Sequence, residues 1–151
     1  MTQSREQFNK AINFIKRDGI ENLINWLTLE TDFFTAPAST IYHSNFEGGL
    51  LIHTLNVLRF ALHNFNLIVK DKPEYEYLRE SVVICALFHD ISKTNFYKIT
   101  EKWTKDENNK WKSYQGYEVI DLSLPLPHGP KSVYLLSKFI KLTDSEATAI
   151  S

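Results

Sequence analysis

Residues 82–93 read VVICALFHDISK, seven apolar residues followed by His89-Asp90 and, one helical turn later, Lys93. An apolar run of this length is compatible with either a buried strand or a buried helix. Residues 75–81, three of which are charged, continue a 3.6-residue repeat into the run, and the combined element is too long for a typical strand. The sequence therefore predicts a helix that carries the His-Asp pair at its end.

The His89-Asp90 pair is a candidate metal site because of where it lies. An ionised carboxylate at the end of an apolar helix carries a desolvation cost unless a cation or hydrogen bonds offset it. Imidazole and carboxylate together suit divalent Mn, Fe, Co or Ni, or Mg with more water in its shell. The alternative is that Asp90 pairs with Lys93, three residues later on the same element.

Length and composition predict one soluble domain. The chain has 151 residues, of which 43% are hydrophobic and 23% charged, and this is enough to bury a single core. It contains no apolar run of the ~20 residues that span a membrane, and residues 1–10 are too polar for a signal peptide. With a single cysteine, Cys85, no intrachain disulfide can form. We expect a cytoplasmic protein without a membrane partner.

The charge is unevenly distributed along the chain. The formal net charge is −1, which argues against a protein that coats nucleic acid by bulk electrostatics. Residues 93–141, however, hold nine Lys against five Asp and Glu. An anionic substrate is therefore expected near that region, unless its lysines only form a solvated surface.

The remaining patterns predict a mainly α fold with a small β-hairpin inserted around residues 96–120. In that insertion Tyr97, Ile99 and Trp103 alternate with polar residues, and 111–120 is again rich in strand formers. Amphipathic helical patterns mark the rest of the chain. They start near Ser4, Leu23, Gly49, Pro73, Gly129 and the Thr143–Glu146 capping box, and the first is expected to continue to Asp18-Gly19.

Four strings occur along the chain in a characteristic order. They are TAPASTIYH at 35–43, GGLLIHTL at 48–55, ALFHDISK at 86–93 and HGPKS at 128–132. In this combination residues 33–151 resemble the HD-domain phosphohydrolase superfamily. The resemblance implies a helical bundle in which His53, His89 and Asp90 bind a divalent metal ion, with His128 as a ligand of a second metal or a contact to phosphate.

The resemblance also implies an activity, that of a metal-dependent phosphohydrolase. Such an enzyme would attack a nucleotide phosphoester or phosphoanhydride through metal-activated water. Asp90, Lys93 and His128 are then the expected catalytic residues, and His43, Lys93 and Lys131 the expected contacts to the phosphorylated substrate. The expected partner is a small phosphorylated molecule, most simply a nucleotide.

Two alternatives remain open at this point. The strings around His43 and Gly48-Gly49 also resemble the HD domain of bacterial 3′–5′ exoribonucleases, which makes oligonucleotides a second, less favoured substrate class. Relatives of this superfamily continue past a segment like Leu142–Ile150 to a closing aspartate ligand. We therefore expect a single HD-type domain, residues 1–151, shortened at its C-terminus, and a non-catalytic nucleotide- or protein-binding module is the third possibility.

Overall fold

The computed structural model describes residues 2–41, 44–120 and 124–151. In these residues the chain forms helices and one antiparallel hairpin, which confirms a mainly α fold with a small β insertion. The helices are α1 Thr2–Ile12, α2 Ile20–Leu29, α3 Gly49–Asp71, α4 Arg79–Phe88, α5 His128–Leu136 and α6 Asp144–Ile150; the strands are β1 Tyr97–Lys105 and β2 Trp111–Val119. Short 3₁₀ turns occupy Pro73–Leu78 and Ile91–Lys93.

The core is built around α4, whose residues 83–88, apart from Cys85, are buried. Ile84, Leu87 and Phe88 are fully enclosed, and the rings of Phe8 from α1 and Phe88 meet edge to face with centroids 6.4 Å apart. The apolar run is thus helical, as its periodicity predicted, and the strand alternative is excluded. The first part of that element is a 3₁₀ turn, so regular α-helix begins only at Arg79.

The first helix is shorter than its sequence pattern predicts. It ends at Ile12 and contains Ser4 within it, whereas the pattern predicted a cap at Ser4 and an end near Asp18. Tertiary hydrogen bonds explain the early end, because the backbone N–H of Lys16 donates to the Glu80 carboxylate and Arg17 donates to Glu146. The Lys16 N–H thus has a carboxylate acceptor in place of a helical carbonyl, and the Arg17 side chain holds the segment that follows α1.

Two adjacent glycines set the start of α3. Gly48 has φ 77°, a left-handed conformation that glycine adopts without strain. At Gly49 a Cβ atom would lie 1.9 Å from the carbonyl oxygen of Ser44, so only glycine allows this approach. The close contact fixes the beginning of α3, and His53 follows one turn later.

The hairpin pairs β1 and β2 over nine residues, from Tyr97 opposite Val119 to Lys105 opposite Trp111. Its turn is closed by the Asp106 carboxylate, which accepts hydrogen bonds from the backbone N–H groups of Asn108 and Lys110. The predicted insertion is therefore confirmed with nearly the expected bounds.

The base of the hairpin is tied to the end of α2. Asn95, which has φ 53°, donates its backbone N–H to the Asp32 carboxylate and accepts the backbone N–H of Asp32 on its side-chain oxygen. Its side-chain amide also donates to the carbonyl of Glu30. This reciprocal pair fixes the chain directly after the Ile91–Lys93 turn.

Helices α5 and α6 close the other side of the core. The Thr143–Glu146 capping box predicted from the sequence is present at the start of α6. The spacing of Val133, Leu136 and Ile140 predicts one apolar helix face, but α5 ends at Leu136 and Ile140 is buried from the segment that follows. Among the described residues, none of the helices has both the length and the apolar character that crossing a membrane requires.

Candidate metal centre

Two helices and one turn bring the three predicted ligands together. His53 lies one turn into α3, and His89 directly follows the last residue of α4. Asp90 then precedes the Ile91–Lys93 turn, which turns the chain away from the helix axis. The side chains meet because the N-terminal part of α3 lies next to the C-terminal end of α4.

The three donor atoms form a small triangle. His53 Nε2 lies 3.2 Å from His89 Nε2 and 3.2 Å from Asp90 Oδ2, and His89 Nε2 lies 3.4 Å from the same oxygen. The convergence expected from the sequence is therefore confirmed. The roles of these residues as metal ligands stay a prediction.

The triangle has the size of one face of a metal coordination shell. Around an ion with bonds of ~2.1 Å, neighbouring ligand atoms lie about 3.0 Å apart in octahedral and about 3.4 Å apart in tetrahedral geometry. The observed edges of 3.2, 3.2 and 3.4 Å fall within that range. Within the part of the chain that the structure describes, His53, His89 and Asp90 are the one group of His, Cys, Asp or Glu side chains close enough to share an ion.

The backbone orients the His89 ring. Its Nδ1 lies 3.1 Å from the carbonyl oxygen of Ala86, a contact that requires a proton on Nδ1. In the neutral imidazole, Nε2 is then an unprotonated acceptor that faces the carboxylate of Asp90. Two acceptors 3.4 Å apart repel each other, so the arrangement calls for either a proton on Nε2 or a cation between the two atoms.

The electrostatics of the group favour ionised Asp90. Burial opposes its charge, but hydrogen bonds from His53, His89 and Lys93 outweigh burial and hold the pKa of the carboxyl well below its usual range. Burial likewise lowers the pKa of His89, but its interactions with Asp90 outweigh burial and the pKa is raised. Asp90 is therefore held ionised, and the donors around it partly compensate its negative charge.

Lys93 contacts the carboxylate directly. Its Nζ donates to Asp90 Oδ2 at 2.8 Å, so the ion pair considered from the sequence is formed together with the His-Asp triangle. The lysine shares this oxygen with both histidines. An ammonium group thus lies directly beside the three donor atoms.

Two other predicted site residues, His128 and Lys131, belong to α5. His128 is exposed at the start of α5, with Nδ1 3.5 Å from Ser92 Oγ, and it is not one of the three grouped ligands. Lys131 is only 6% exposed, and its Nζ lies 5.4 Å from the centre of the Phe96 ring. His128 and Lys131 both line a cleft of about 230 Å³ together with Phe96. His43 lies outside the described residues.

Several residues around the centre were missed by sequence reasoning. Ser92 is fully buried, and its backbone N–H donates to Ser132 Oγ, which ties the turn after Asp90 to α5. Tyr97 is half-buried, and its pKa is raised by burial and, to a smaller extent, by the negative charge of Asp90. Tyr97 was treated only as a strand residue because alternation along a strand does not reveal what lies beside its first residue.

Comparison with known proteins gives one informative similarity. A segment of 71 residues, 47% of this chain, is 37% identical to dihydroneopterin 2′,3′-cyclic phosphate phosphodiesterase of Methanocaldococcus jannaschii. The aligned segment spans 28% of that protein, so the chain matches less than a third of its length. No family model matches the chain, and no solved structure matches it with significance.

Proposed function

We propose that this protein is an HD-type metal-dependent phosphohydrolase that acts on a nucleotide phosphoester or phosphoanhydride. The observation that carries the proposal is the triangle of His53 Nε2, His89 Nε2 and Asp90 Oδ2, whose edges match those of ligands around a divalent ion. The similarity to a protein named as a cyclic phosphate phosphodiesterase supports phosphoester hydrolysis independently of that geometry.

His53, His89 and Asp90 would hold the ion, which is one of Mn, Fe, Co, Ni or Mg. When bound, such an ion polarises a phosphoryl oxygen and lowers the pKa of a coordinated water. Asp90 supplies the negative charge that retains a divalent cation, and the Ala86 carbonyl holds the His89 ring so that Nε2 faces the ion.

The residues around the centre would handle the phosphate. Lys93, 2.8 Å from Asp90 Oδ2, neutralises charge on the phosphoryl oxygens as the P–O bond to water forms and the ester P–O bond breaks. His128 contacts phosphate or holds a second ion, and Lys131 and His43 contact the substrate. Among these residues, Lys131 and His128 already share one cleft. The excess of lysine over residues 93–141 supports an anionic substrate.

Metal content together with hydrolysis tests the proposal. Purified wild-type protein is expected to hold about one ion per chain and to hydrolyse bis(p-nitrophenyl) phosphate or a 2′,3′-cyclic mononucleotide with added Mn²⁺. His53→Ala is expected to lose the ion and roughly a hundredfold or more in kcat/KM. His63→Ala is the matched control, because His63 lies on the same helix, exposed and outside the group.

One observation favours a second candidate, a non-catalytic module that binds a nucleotide or a protein. The Lys93 ammonium already compensates the Asp90 carboxylate, so the centre is electrostatically satisfied in part without an ion. Folded wild-type protein that takes up no Mn²⁺, Fe²⁺, Co²⁺, Ni²⁺ or Mg²⁺ would favour this module and contradict the hydrolase.

A further inference from the structure

The cleft that His128 and Lys131 share is lined mainly by apolar side chains. Its volume is about 230 Å³, and the rest of its lining consists of Phe96 and the Leu-Pro-Leu-Pro segment 124–127. The Phe96 ring meets the His128 ring at 76°, with centroids 5.3 Å apart, and Lys131 Nζ lies 5.4 Å from the centre of the Phe96 ring. Phe96 is therefore the aromatic residue around which the cleft is arranged, and we call it the Phe96 cleft.

The turn after Asp90 connects the Phe96 cleft to the candidate metal centre. Ser92 lies in this turn, and its Oγ is 3.5 Å from His128 Nδ1. Because Asp90 and Ser92 are only two residues apart, the His128 ring lies on the order of 10 Å from the backbone of Asp90. Phe96 follows the same turn and directly precedes β1. Phe96 and His128 are thus both placed by the chain next to Asp90, within the span of one nucleotide.

The volume of the Phe96 cleft limits its occupant to one small ring system. Clefts that hold drug-sized ligands measure about 300–1,000 Å³. A water molecule takes about 30 Å³ in the liquid, so the cleft corresponds to about eight waters. A single heterocyclic base fits this volume, whereas a dinucleotide or a segment of another protein does not.

The lining favours a planar heterocycle over the other parts that a phosphorylated ligand can have. A sugar carries hydroxyl groups around its whole ring, and the apolar lining would leave most of them without hydrogen-bond partners. An alkyl chain has no use for His128 and Lys131. A nucleobase has apolar faces and a polar edge, so its faces can pack against Phe96 and segment 124–127 while the two polar side chains border its edge. The Lys131 ammonium also disfavours a cationic ligand.

We infer that the Phe96 cleft binds the base of a nucleotide whose phosphate lies at the His53–His89–Asp90 centre, and that Phe96 determines the preference for substrates that carry a base. The inference rests on the proposed function and adds the site that recognises the part of the substrate without phosphate. Contacts between bases and aromatic side chains tolerate different bases. The cleft therefore distinguishes nucleotides from phosphorylated sugars.

NMR titration of the protein in EDTA tests the inference without a metal ion. Wild type is expected to bind adenosine or uridine 5′-monophosphate about tenfold more tightly than ribose 5-phosphate, which lacks the base. Phe96→Leu is expected to lose most of that preference. Phe14→Leu is the matched control and is expected to keep it, because Phe14, 46% exposed, lies near Lys16, which is bonded to Glu80 at the opposite end of α4 from His89.

A direct contact measurement decides the case in which Phe96→Leu does not fold, as circular dichroism would show. In wild type, intermolecular NOEs are expected from the base protons to the Phe96 ring and to the methyl groups of Leu124 and Leu126. Base protons with NOEs only to residues outside the cleft would overturn the inference. So would a folded Phe96→Leu with the full preference, or wild type that binds ribose 5-phosphate as tightly as both nucleotides.

Hydrolysis separates this inference from the proposed function. With Mn²⁺, the ratio of kcat/KM for adenosine or uridine 2′,3′-cyclic phosphate to kcat/KM for glycerol 1,2-cyclic phosphate is expected to fall about tenfold in Phe96→Leu, mainly through KM. Hydrolysis of both esters with an unchanged ratio would overturn the base site and leave the hydrolase intact. Wild-type protein that hydrolyses neither ester contradicts the proposed function, and Phe96-dependent binding of the nucleotides would still support the cleft as a base site.

Discussion

The guanidinium of Arg17 donates to both carboxylate oxygens of Glu146, with Nη1–Oε2 3.0 Å and Nη2–Oε1 2.8 Å, although 129 residues separate the two. Glu146 is 1% exposed, and its carboxylate also accepts hydrogen bonds from Ser81 and from the backbone of Thr143. The same carboxylate therefore caps α6 and ties that helix to α4 and to the segment after α1. Removal of Glu146 would leave the Arg17 guanidinium with only the longer contact to Glu80, at 3.4 Å, and the carbonyl of Lys141.

We predict that Glu146→Gln lowers the free energy of unfolding by about 3 kcal/mol, the cost of breaking a buried ion pair on one side. Urea denaturation at pH 7 measures this. The control is Glu76→Gln, which removes an exposed pair with Arg79 three residues away and is expected to shift the unfolding midpoint far less. Similar shifts in the two variants would mean that the buried pair is no more important than the surface pair.

The same carboxylate predicts an acid sensitivity. Burial opposes its ionisation, but hydrogen bonds from Arg17, Thr143 and Ser81 outweigh burial and lower the pKa of Glu146 to about 2. Because the folded pKa lies below the unfolded value, this stabilisation is fully present above pH ~4.5 and is lost as the pH falls towards 2. The difference in unfolding free energy between wild type and Glu146→Gln is expected to shrink over that interval. A difference that stays constant from pH 6 to pH 2.5 would contradict the lowered pKa.

Features that depend on residues close together in the sequence could be predicted, whereas features that depend on contacts between distant residues could not. The helix at 82–88, the hairpin and the Thr143–Glu146 box follow from local periodicity and spacing, and the structure confirms all three. The early end of α1 could not be predicted, because it depends on partners of residues 16 and 17 that lie more than 60 positions away.

Some features of the candidate site could likewise be predicted from the sequence, and others could not. The convergence of His53 with His89 and Asp90 was expected from the resemblance to the HD-domain superfamily, which implies that the three share one ion. The sequence did not predict that Tyr97 lies near Asp90 or that Ser92 makes a buried contact with Ser132. No pattern in the sequence around Tyr97 or Ser92 indicates which residues surround them in the fold. The pairing of Trp103 with Ser113 and of Trp111 with Lys105 required the register of the two strands, which the sequence alone did not fix.

A glycine at the start of α3 is predicted to be essential for the position of His53. Gly49→Ala would place Cβ 1.9 Å from the backbone oxygen of Ser44, so the loop or the helix must move. We expect a loss on the order of 3 kcal/mol in unfolding free energy, together with weaker metal binding. Gly116→Ala is the control, because its Cβ would meet only the flexible side chain of Lys102. Equal stability of Gly49→Ala and wild type, measured by thermal unfolding, would show that the loop relaxes freely.

Thr54 offers a stabilising substitution beside the centre. Its side chain is fully buried, and its hydroxyl has no hydrogen-bond partner among the described residues. Thr54→Val keeps the shape and removes the unsatisfied group, so we expect about 1 kcal/mol of added stability. Differential scanning calorimetry measures the change in Tm. A lower Tm would mean instead that the hydroxyl binds an ordered water whose hydrogen bonds valine cannot replace.

Lys93 is predicted to assist the chemistry while it competes with the metal ion for Asp90. Its Nζ lies 2.8 Å from Asp90 Oδ2, the oxygen that also faces both histidines, so an entering cation meets a positive charge already at that oxygen. Lys93→Met keeps most of the side-chain volume and removes the charge. We expect this variant to bind Mn²⁺ at least as tightly as wild type, while kcat/KM for phosphoester hydrolysis falls roughly a hundredfold because a cation facing the transition state is lost. Lys98→Met, an exposed hairpin lysine paired with Glu118, is expected to change neither value. Titration calorimetry with Mn²⁺ and steady-state kinetics separate the two effects, and weaker Mn²⁺ binding by Lys93→Met would show that the lysine orients Asp90 for the metal rather than competing with it.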